Sequence, residues 1–568
     1  MRARLLGALL GAAGTLALGL AAGCGDGGGG AGTAAQTSAP EQGGVVVVGH
    51  DQAPETLNGM LLAGNTLVTR QSISPVVGEH MLTLTPDFRY VPVLAESVPN
   101  EADGTLTRNP FTVTFRIRKN AAWSDGTPVT SADMVFTWKT IMDPDNAVAG
   151  RTGWDLIDRI ETPDARTFTV VFTRPYAPWK DLFSPSGGAT SQLLPKHVLE
   201  GKDFDTVWTR GRGMIGTGPF LIDSYSPRRR LVLVRNPRYW NRAASRGGPH
   251  IDRIVHVYLK DSTTQEVQFE TGEVNMINPL DFGVRRRLAE LPHVRVEHPP
   301  GVAWEQLSFN LSDPLMRDVN VRRAICYAID RSELIRLSTR GETFPLDSFL
   351  VPQQQPYYTP AWKRYEPDPA KVEQALAASG YTRNADGVFE KDGRELTVEL
   401  STIAGNETRK QNLRLIAAQL ERVGIRARIR IAADFFDTSG PLLTGRYQIG
   451  EFAFSATADP SSTGIFRSDQ VPAQENGFAG QNTYFLRDPE LDRLLDASDA
   501  QLDEGRRAEL MRRIQERLAD RAVLLPLYQF PEILAYPDNL HEVLVNPTQV
   551  SHYDQVQNWF FSGGRASR

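Results

Sequence analysis

The strongest constraint on the fold is a helical stretch that leads directly into a strand. Leu413, Ile416 and Leu420 recur at the spacing of one helical face, and Gly424 ends the pattern. Residues 425–431 then alternate isoleucine or alanine with arginine, which is the period of a strand. A helix followed at once by a strand is the repeating unit of α/β proteins. The chain is therefore predicted to be α/β, with mixed sheets.

Two further strands and a capped helix are predicted nearer the amino terminus. The β-branched run Val45 to Val48 predicts a buried strand. Phe111 to Ile117 alternate apolar with polar residues, which predicts a strand with one buried face. Thr130 and Asp133 have the spacing of a capping box, so a helix is expected to begin there and to stop at Asp143-Pro144.

The amino-terminal segment has the features of a secretory signal peptide. Arg2 and Arg4 precede an apolar run from Leu5 to Leu20, and small residues at 21–23 lead to Cys24. The apolar run is too short to span a bilayer comfortably. Residues 1–23 are therefore predicted to be a signal peptide.

The same segment resembles a bacterial lipobox, in which the cysteine receives a diacylglyceryl group and becomes the new amino terminus. Ala21 stands where leucine is common in that motif. The resemblance predicts a lipid anchor on Cys24; an ordinary cleaved signal with an incidental cysteine is the alternative. Residues 24–43, rich in Gly, Ala, Ser and Thr, are predicted to be a flexible linker near the lipid.

Length, charge and cysteine content narrow the class of protein. A chain of 568 residues exceeds what one hydrophobic core supports, so two or three lobes are expected. The net charge of −5 offers no broad basic surface, which argues against nucleic acid as a partner. With Cys24 acylated, Cys326 has no partner for an intramolecular disulfide, and it is predicted to be a small core residue.

Familiar catalytic and cofactor motifs are absent from the sequence. GxSxG, HExxH and the Walker pattern do not occur, and the nine histidines form no cluster with metal-ligand spacing. A literal GxGxxG at Gly211, Gly213 and Gly216 has no strand before it, and Pro219 stands where a helix would begin. No catalytic residue, metal site or cofactor is predicted, which weighs against an enzyme.

Three blocks of sequence resemble one family, the extracellular solute-binding proteins of bacterial ABC importers, in the group that binds dipeptides and oligopeptides. The blocks are Phe115 to Trp138, with its WSDG turn, Gly216 to Trp240, and Leu307 to Ile335. They occur in family order. Their signature residues are predicted to have structural roles. Gly126 and Gly218 are predicted to occupy turns that need a positive φ.

The resemblance implies a bilobed, periplasmic-binding-protein-like fold with an extra subdomain in the first lobe. It places the first lobe at 44–77 and 198–300, the extra subdomain at 78–197 and the second lobe at 301–535, and residues 536–568 are expected to return to the first lobe. It also implies a monomer, and an ABC permease as the partner. The expected location is the outer face of the cell membrane, in the periplasm or at the cell surface, with the lipid on Cys24 as the anchor.

Candidate ligand residues follow from the resemblance as well. Peptide-binding members carry a W-x-x-D…DP pattern whose aspartate binds the peptide's amino terminus. The corresponding stretch here is Phe452 to Pro460; Phe454 takes the tryptophan position, and Thr457 or Ala456 the aspartate position. The amine-binding carboxylate is then either a rearranged Asp459 or lost, and Asp459 as a turn residue before proline is the structural alternative. The ligand-binding residues predicted in the two lobes are Gly64, Asn65, Phe452, Phe454, Ser455, Thr457 and Asp459.

These observations predict a lipid-anchored receptor that captures short peptides between two lobes and delivers them to a permease. Such a receptor for a non-peptide solute (a metal chelate, a glycoside or a lipid-like molecule) is the first alternative, favoured by the missing aspartate. A secreted lipoprotein hydrolase is the second, and it requires a nucleophile and base, or a carboxylate pair, that no motif indicates.

Overall fold

The computed structural model describes residues 40–566, apart from 51–52, 55, 62–63, 65, 67, 187–190, 210–212, 260, 279–281, 438, 477, 479 and 549. The predicted signal peptide, Cys24, most of the predicted linker and Asn65 lie outside the described residues. Gln42 and Gly43, at the end of that linker, both bond to His250. Within the described part of the chain, no helix has the length and apolar character needed to cross a membrane.

The strands are short and spread over the whole described chain. In chain order they are β1 Val45–His50, β2 Leu82–Leu84, β3 Tyr90–Pro92, β4 Leu106–Arg108, β5 Phe111–Arg116, β6 Ile157–Asp164, β7 Thr167–Phe172, β8 Phe220–Ser226, β9 Arg230–Arg235, β10 Arg253–Tyr258, β11 Met276–Ile277, β12 Val294–Glu297, β13 Pro300–Phe309, β14 Thr382–Arg383, β15 Phe389–Lys391, β16 Arg394–Glu395, β17 Thr397–Ile403, β18 Arg426–Ala432, β19 Ile449–Ser455, β20 Leu524–Pro531, β21 Leu534–Pro537, β22 Leu540–His541 and β23 Phe560–Phe561.

The α-helices alternate with these strands. They are α1 Ser74–Val77, α2 Ser131–Met142, α3 Lys196–Leu199, α4 Ser262–Glu270, α5 Val284–Ala289, α6 Val319–Ala328, α7 Arg331–Ser338, α8 Pro369–Ala378, α9 Glu407–Arg422, α10 Pro441–Thr444, α11 Thr463–Phe466, α12 Pro489–Ala500 and α13 Glu504–Asp520. Short 3₁₀ turns include Ala177–Phe183, which follows β7. The predicted α/β class with mixed sheets is confirmed.

A seven-stranded sheet carries the beginning of the folded chain. Its order is β12-β21-β11-β1-β10-β9-β8, and β1 runs parallel to β10 and β11. The predicted strand at Val45 to Val48 is present, but only Val46 and Val48 enter the main core, and Val45 is exposed. Val47 packs on the opposite face, against a smaller cluster that includes residues of α4 and α5. The run is therefore a strand with two different faces rather than one buried throughout.

A five-stranded sheet carries the second half of the chain, in the order β18-β17-β19-β13-β20. The predicted helix-to-strand unit is present as α9 followed by β18. β18 lies at the edge of the sheet and pairs only with β17. Among the described residues no strand pairs with its outer side, and Ile429 and Ile431 are exposed although their alternation with arginines has the period of a half-buried strand.

A four-stranded antiparallel sheet, β4-β5-β7-β6, packs into the same apolar core as the seven-stranded sheet. Phe115 of β5 contacts Phe168 and Phe183, at 5.2 and 4.7 Å between ring centroids. The predicted buried face of β5 is confirmed, since Phe111, Val113 and Phe115 are buried. α2 begins with the predicted capping box and ends at Met142, directly before Asp143.

The chain passes twice between the two large sheets. β12 ends at Glu297 and β13 begins at Pro300; β20 ends at Pro531 and β21 begins at Leu534. We call the part built on the seven- and four-stranded sheets (β1, β4–β12 and β21) the first lobe. The part built on the five-stranded sheet (β13 and β17–β20) is the second lobe, and each has its own large apolar core. The domain boundaries given by the sequence stay a prediction.

Two signature glycines have different structural reasons. Gly126, in the WSDG turn, has a φ of +96°, as predicted. The same prediction for Gly218 is wrong, because its φ is not positive; instead a Cβ there would meet the Val76 carbonyl oxygen at 2.4 Å. Gly218 is therefore required by close backbone approach. Cys326 is fully buried in α6, as predicted, and burial raises the pKa of its thiol to about 12.

Candidate functional site

The predicted ligand segment lies at the end of β19, beside β13. Phe452 is buried among the rings of Phe435 and Phe436, and Phe454 is half-buried against Trp304, at 6.0 Å between centroids. Both phenylalanines therefore belong to an aromatic wall on one face of the second-lobe sheet. Alternation along β19 places them on that face, because residues two apart in a strand point to the same side.

The turn after β19 reaches the first lobe. Ser455 is exposed, and the Thr457 hydroxyl donates to the carbonyl of Asp459 at 3.1 Å. The backbone N–H of Ala458 donates to the Ser186 hydroxyl at 2.9 Å, although the two residues belong to different lobes. The predicted segment therefore lies where the two lobes touch, and Thr457 supplies a hydroxyl where the pattern has a carboxylate.

Asp459 is already neutralised by a cation of its own lobe. Its carboxylate forms an ion pair with Arg507 of α13, and the two side chains are only 12% and 3% exposed. Arg507 also donates to the Pro460 carbonyl at 2.8 Å and lies over the Tyr357 ring, 5.0 Å from its centroid. Asp459 therefore has a structural partner within its own lobe, and its contact with ligand stays a prediction.

Asp181, which the sequence analysis did not single out, faces this pair from the first lobe. It lies in the 3₁₀ turn Ala177–Phe183 and accepts a hydrogen bond of 2.5 Å from the Tyr90 hydroxyl. It is 7% exposed, and no lysine or arginine of the described residues pairs with it. Burial, then the negative charge of Asp459, raise the pKa of Asp181 to about 7, against hydrogen bonds from Tyr90 and Ser186 that lower it.

A third buried carboxylate, Asp499 of α12, completes the group. The hydroxyls of Ser461 and Thr463 both donate to one of its oxygens at 2.7 Å, and burial raises its pKa. We call Asp181, Asp459, Asp499 and Arg507 the aspartate junction. Three carboxylates with one arginine leave an excess of negative charge between the lobes, which a proton or a cationic group would relieve. No signal in the sequence indicates this, since Asp181 and Asp459 lie far apart in the chain.

The first-lobe candidate Gly64 is buried in the loop that follows β1. A Cβ at Gly64 would meet the Asn58 carbonyl oxygen at 2.0 Å, so the loop needs glycine there to pack. This is a structural reason for Gly64, and its contact with ligand stays a prediction, as does that of Asn65 outside the described residues. Among the described residues, no group of three or more His, Cys, Asp or Glu side chains is placed to hold a metal ion.

Comparison with known proteins places this arrangement in a family. The model of "Bacterial extracellular solute-binding proteins, family 5 Middle" matches residues 89–469, which is more than half of the chain. The oligopeptide-binding protein OppA of Mycobacterium bovis is 28% identical over 454 residues, covering 77% of this chain and 72% of that protein.

Two solved structures share the fold. The oligopeptide-binding protein AppA of Bacillus subtilis, in complex with a nonapeptide, has a TM-score of 0.76 at 21% identity, covering 92% of this chain and 100% of that one. The periplasmic EDTA-binding protein EppA has a TM-score of 0.81 at 23% identity, covering 93% of this chain and 98% of that one. The predicted bilobed binding-protein fold is thereby confirmed.

Proposed function

This chain belongs to the bacterial extracellular solute-binding proteins of family 5, and from that premise we propose that it is the receptor of an ABC importer for short peptides. The family match over residues 89–469 is the observation that carries the proposal, and the oligopeptide-binding relatives favour peptide as the solute. The receptor encloses the peptide between its lobes and passes it on chemically unchanged to the permease.

The structure supports a site at the lobe contact. The end of β19, beside the turn at Thr457 and Ala458, provides strand backbone, to which a peptide main chain pairs in a sequence-tolerant way. The aromatic wall at Phe452 and Phe454 offers apolar surface for a ligand side chain. We propose that residues 44–77 and 198–300 form the first lobe, to which 536–568 return, that 78–197 are its extra subdomain, and that 301–535 form the second lobe.

A non-peptide solute is the second candidate, and the Asp459–Arg507 pair is the observation that favours it. With that carboxylate held by Arg507 and Thr457 in the aspartate position, the segment Phe452 to Pro460 offers no unpaired carboxylate to a peptide amino terminus. The likeness to an EDTA-binding protein shows that the same scaffold carries other ligands.

Native mass spectrometry of the protein as purified separates the two candidates. A ladder of masses that match mixed short peptides is expected for a peptide receptor. One sharp non-peptide mass refutes peptide as the solute and supports the second candidate. Incubation of the complex for hours should leave the ligand mass unchanged, and a shift to hydrolysis products would contradict a receptor without catalysis.

We also propose that the receptor is monomeric and held at the outer face of the membrane by lipid on Cys24. The signal-like segment 1–23 with its terminal small residues supports the anchor. Cys24→Ser should release the protein into the medium, whereas Cys326→Ala, which removes the other cysteine, should leave it in the membrane fraction. Retention of the Cys24→Ser variant would refute the anchor.

A further inference from the structure

A partly buried cluster of opposite charges joins the two lobes away from the predicted ligand segment. Glu342, in the loop after α7 of the second lobe, bonds to two arginines of α5 in the first lobe. Arg285 Nε and Nη2 lie 2.6 and 2.9 Å from its two oxygens, and Arg286 Nε lies 3.0 Å from one of them. The Glu342 side chain is only 8% exposed. The bidentate bond fixes the orientation of Arg285 relative to Glu342, and the pair is less exposed than a surface ion pair.

Both ends of this cluster are firmly attached to their own lobes. α5 is anchored by the buried side chains of Val284 and Leu288, which pack with Ala535 of β21. On the other side, the Thr343 hydroxyl donates to the Gln529 carbonyl of β20. Force on the ion pair is therefore transmitted to two different sheets rather than absorbed by mobile loops.

The cluster also lies beside the connections between the lobes. Arg285 Nη1 is 3.2 Å from Nε2 of His298, which stands between β12 and β13. Gln529 is two residues before the end of β20, where the second connection begins. Rotation of one lobe against the other about these connections would change the orientation of α5 relative to the Glu342 loop, and a bidentate bond tolerates little change in orientation. By contrast, the Arg174–Asp496 pair between the lobes is exposed and 4.0 Å long, so it offers little resistance.

We propose that Glu342, Arg285 and Arg286 form a hinge-side brace that holds the lobes in the closed arrangement. Closure is the state in which Ala458 of one lobe bonds to Ser186 of the other. The brace raises the fraction of ligand-free receptor that is closed, and the apparent affinity for solute rises with that fraction. The effect on affinity rests on the proposed receptor function, whereas the effect on the lobe angle does not.

The test compares Glu342→Gln with Glu407→Gln, which removes a carboxylate from an exposed ion pair on the surface of α9. Small-angle X-ray scattering of ligand-free protein should show a larger radius of gyration for Glu342→Gln and a wild-type curve for the control. Exchange of the charges, Arg285→Glu with Glu342→Arg, should restore most of the compact form when Arg286→Gln removes the arginine that would otherwise repel the new one. Against a peptide found by native mass spectrometry, Glu342→Gln should weaken binding at least about fivefold.

Scattering of Glu342→Gln that superimposes on the wild type would overturn the brace. If no peptide binds to any variant, the proposed peptide function fails while the scattering still decides the brace. Should Glu342→Gln not fold, Arg286→Gln removes only the singly bonded arginine and should give a smaller expansion in the same direction. A wild-type curve for a folded Arg286→Gln protein would then refute the proposal.

Discussion

Replacing Arg507 by methionine removes the cation beside Asp459 while keeping a long apolar side chain over Tyr357. The change leaves the three carboxylates of the aspartate junction buried without a positive charge. Removing one partner of a buried ion pair destabilises by about 3–5 kcal/mol. The lost hydrogen bond to the Pro460 carbonyl adds about 1 kcal/mol. Arg507→Met should therefore be among the more damaging single changes in the second lobe.

Asp459→Asn should be milder, because Arg507 keeps its bond to Pro460 and the attraction of Asp499. A loss of about 3–5 kcal/mol is expected, because a buried arginine loses its ion-pair partner. The double variant should be more stable than the sum of the two losses predicts, by about 1–3 kcal/mol, because the pair is then absent on both sides.

The free energies of unfolding of the wild type, the two single variants and the double variant are measured by urea unfolding followed by tryptophan fluorescence. They can be compared when the four m values are equal. If the loss in the double variant equals the sum of the two single losses within about 0.5 kcal/mol, Arg507 and Asp459 do not interact. Asp459→Asn should also leave the affinity for ligand nearly unchanged. A drop of the size expected for a lost ligand charge, about 2–5 kcal/mol, would contradict the structural role of Asp459 and restore it as the amine-binding residue.

Three further outcomes are expected. The pKa of Asp181 is raised from 3.8 to about 7, so between these pH values the folded protein holds a proton that the unfolded chain has lost; the stabilisation is full below pH 3.8 and is lost as pH rises to 7. Asp181→Asn should therefore flatten the dependence of melting temperature on pH between 3.8 and 7. An unchanged slope would contradict the assignment. Gly218→Ala should lower the free energy of unfolding in urea by about 1–3 kcal/mol, because the new Cβ would meet a backbone oxygen at 2.4 Å. Gly150→Ala, where a Cβ has open space, should leave it unchanged. Equal urea midpoints for the two variants would refute close backbone approach as the reason for Gly218. Burial raises the pKa of Glu451 well above its usual range, and one of its oxygens has no partner among the described residues, so Glu451→Gln should be neutral or stabilising at pH 8. Glu305→Gln removes the carboxylate that pairs with the buried Arg409 and should cost about 3–5 kcal/mol. A larger loss for Glu451→Gln than for Glu305→Gln would show that Glu451, and not Glu305, carries the charge.

The aspartate junction illustrates what a single sequence leaves open. Asp459 was identified from a motif, but its ion pair with Arg507 spans 48 residues and depends on how α13 packs against the turn after β19. Asp181 comes from the other lobe and carries no motif. The sequence therefore located one member of the site and left its charge state undecided.

The family fold could be predicted from the sequence because the signature residues of the family have structural roles. The capping box of α2, the WSDG turn and the alternation in β5 depend on residues that are neighbours in the chain. Each is set by local backbone geometry and by the period of side-chain burial. Blocks of this kind, in order over most of the chain, specify one architecture even when no ligand residue can be named.

Local patterns predicted the helix-to-strand unit of α9 and β18, the half-buried β5 and the capped α2, and chain length predicted two or three lobes. Only the tertiary structure decided which strand lies at a sheet edge, so that Ile429 and Ile431 are exposed, and why Gly218 must be glycine. It alone brought Glu342 to Arg285 across the lobes. Hydrogen bonds within a helix or turn join residues close in sequence, whereas sheet order, burial of charge and ion pairs between lobes depend on the path of the whole chain.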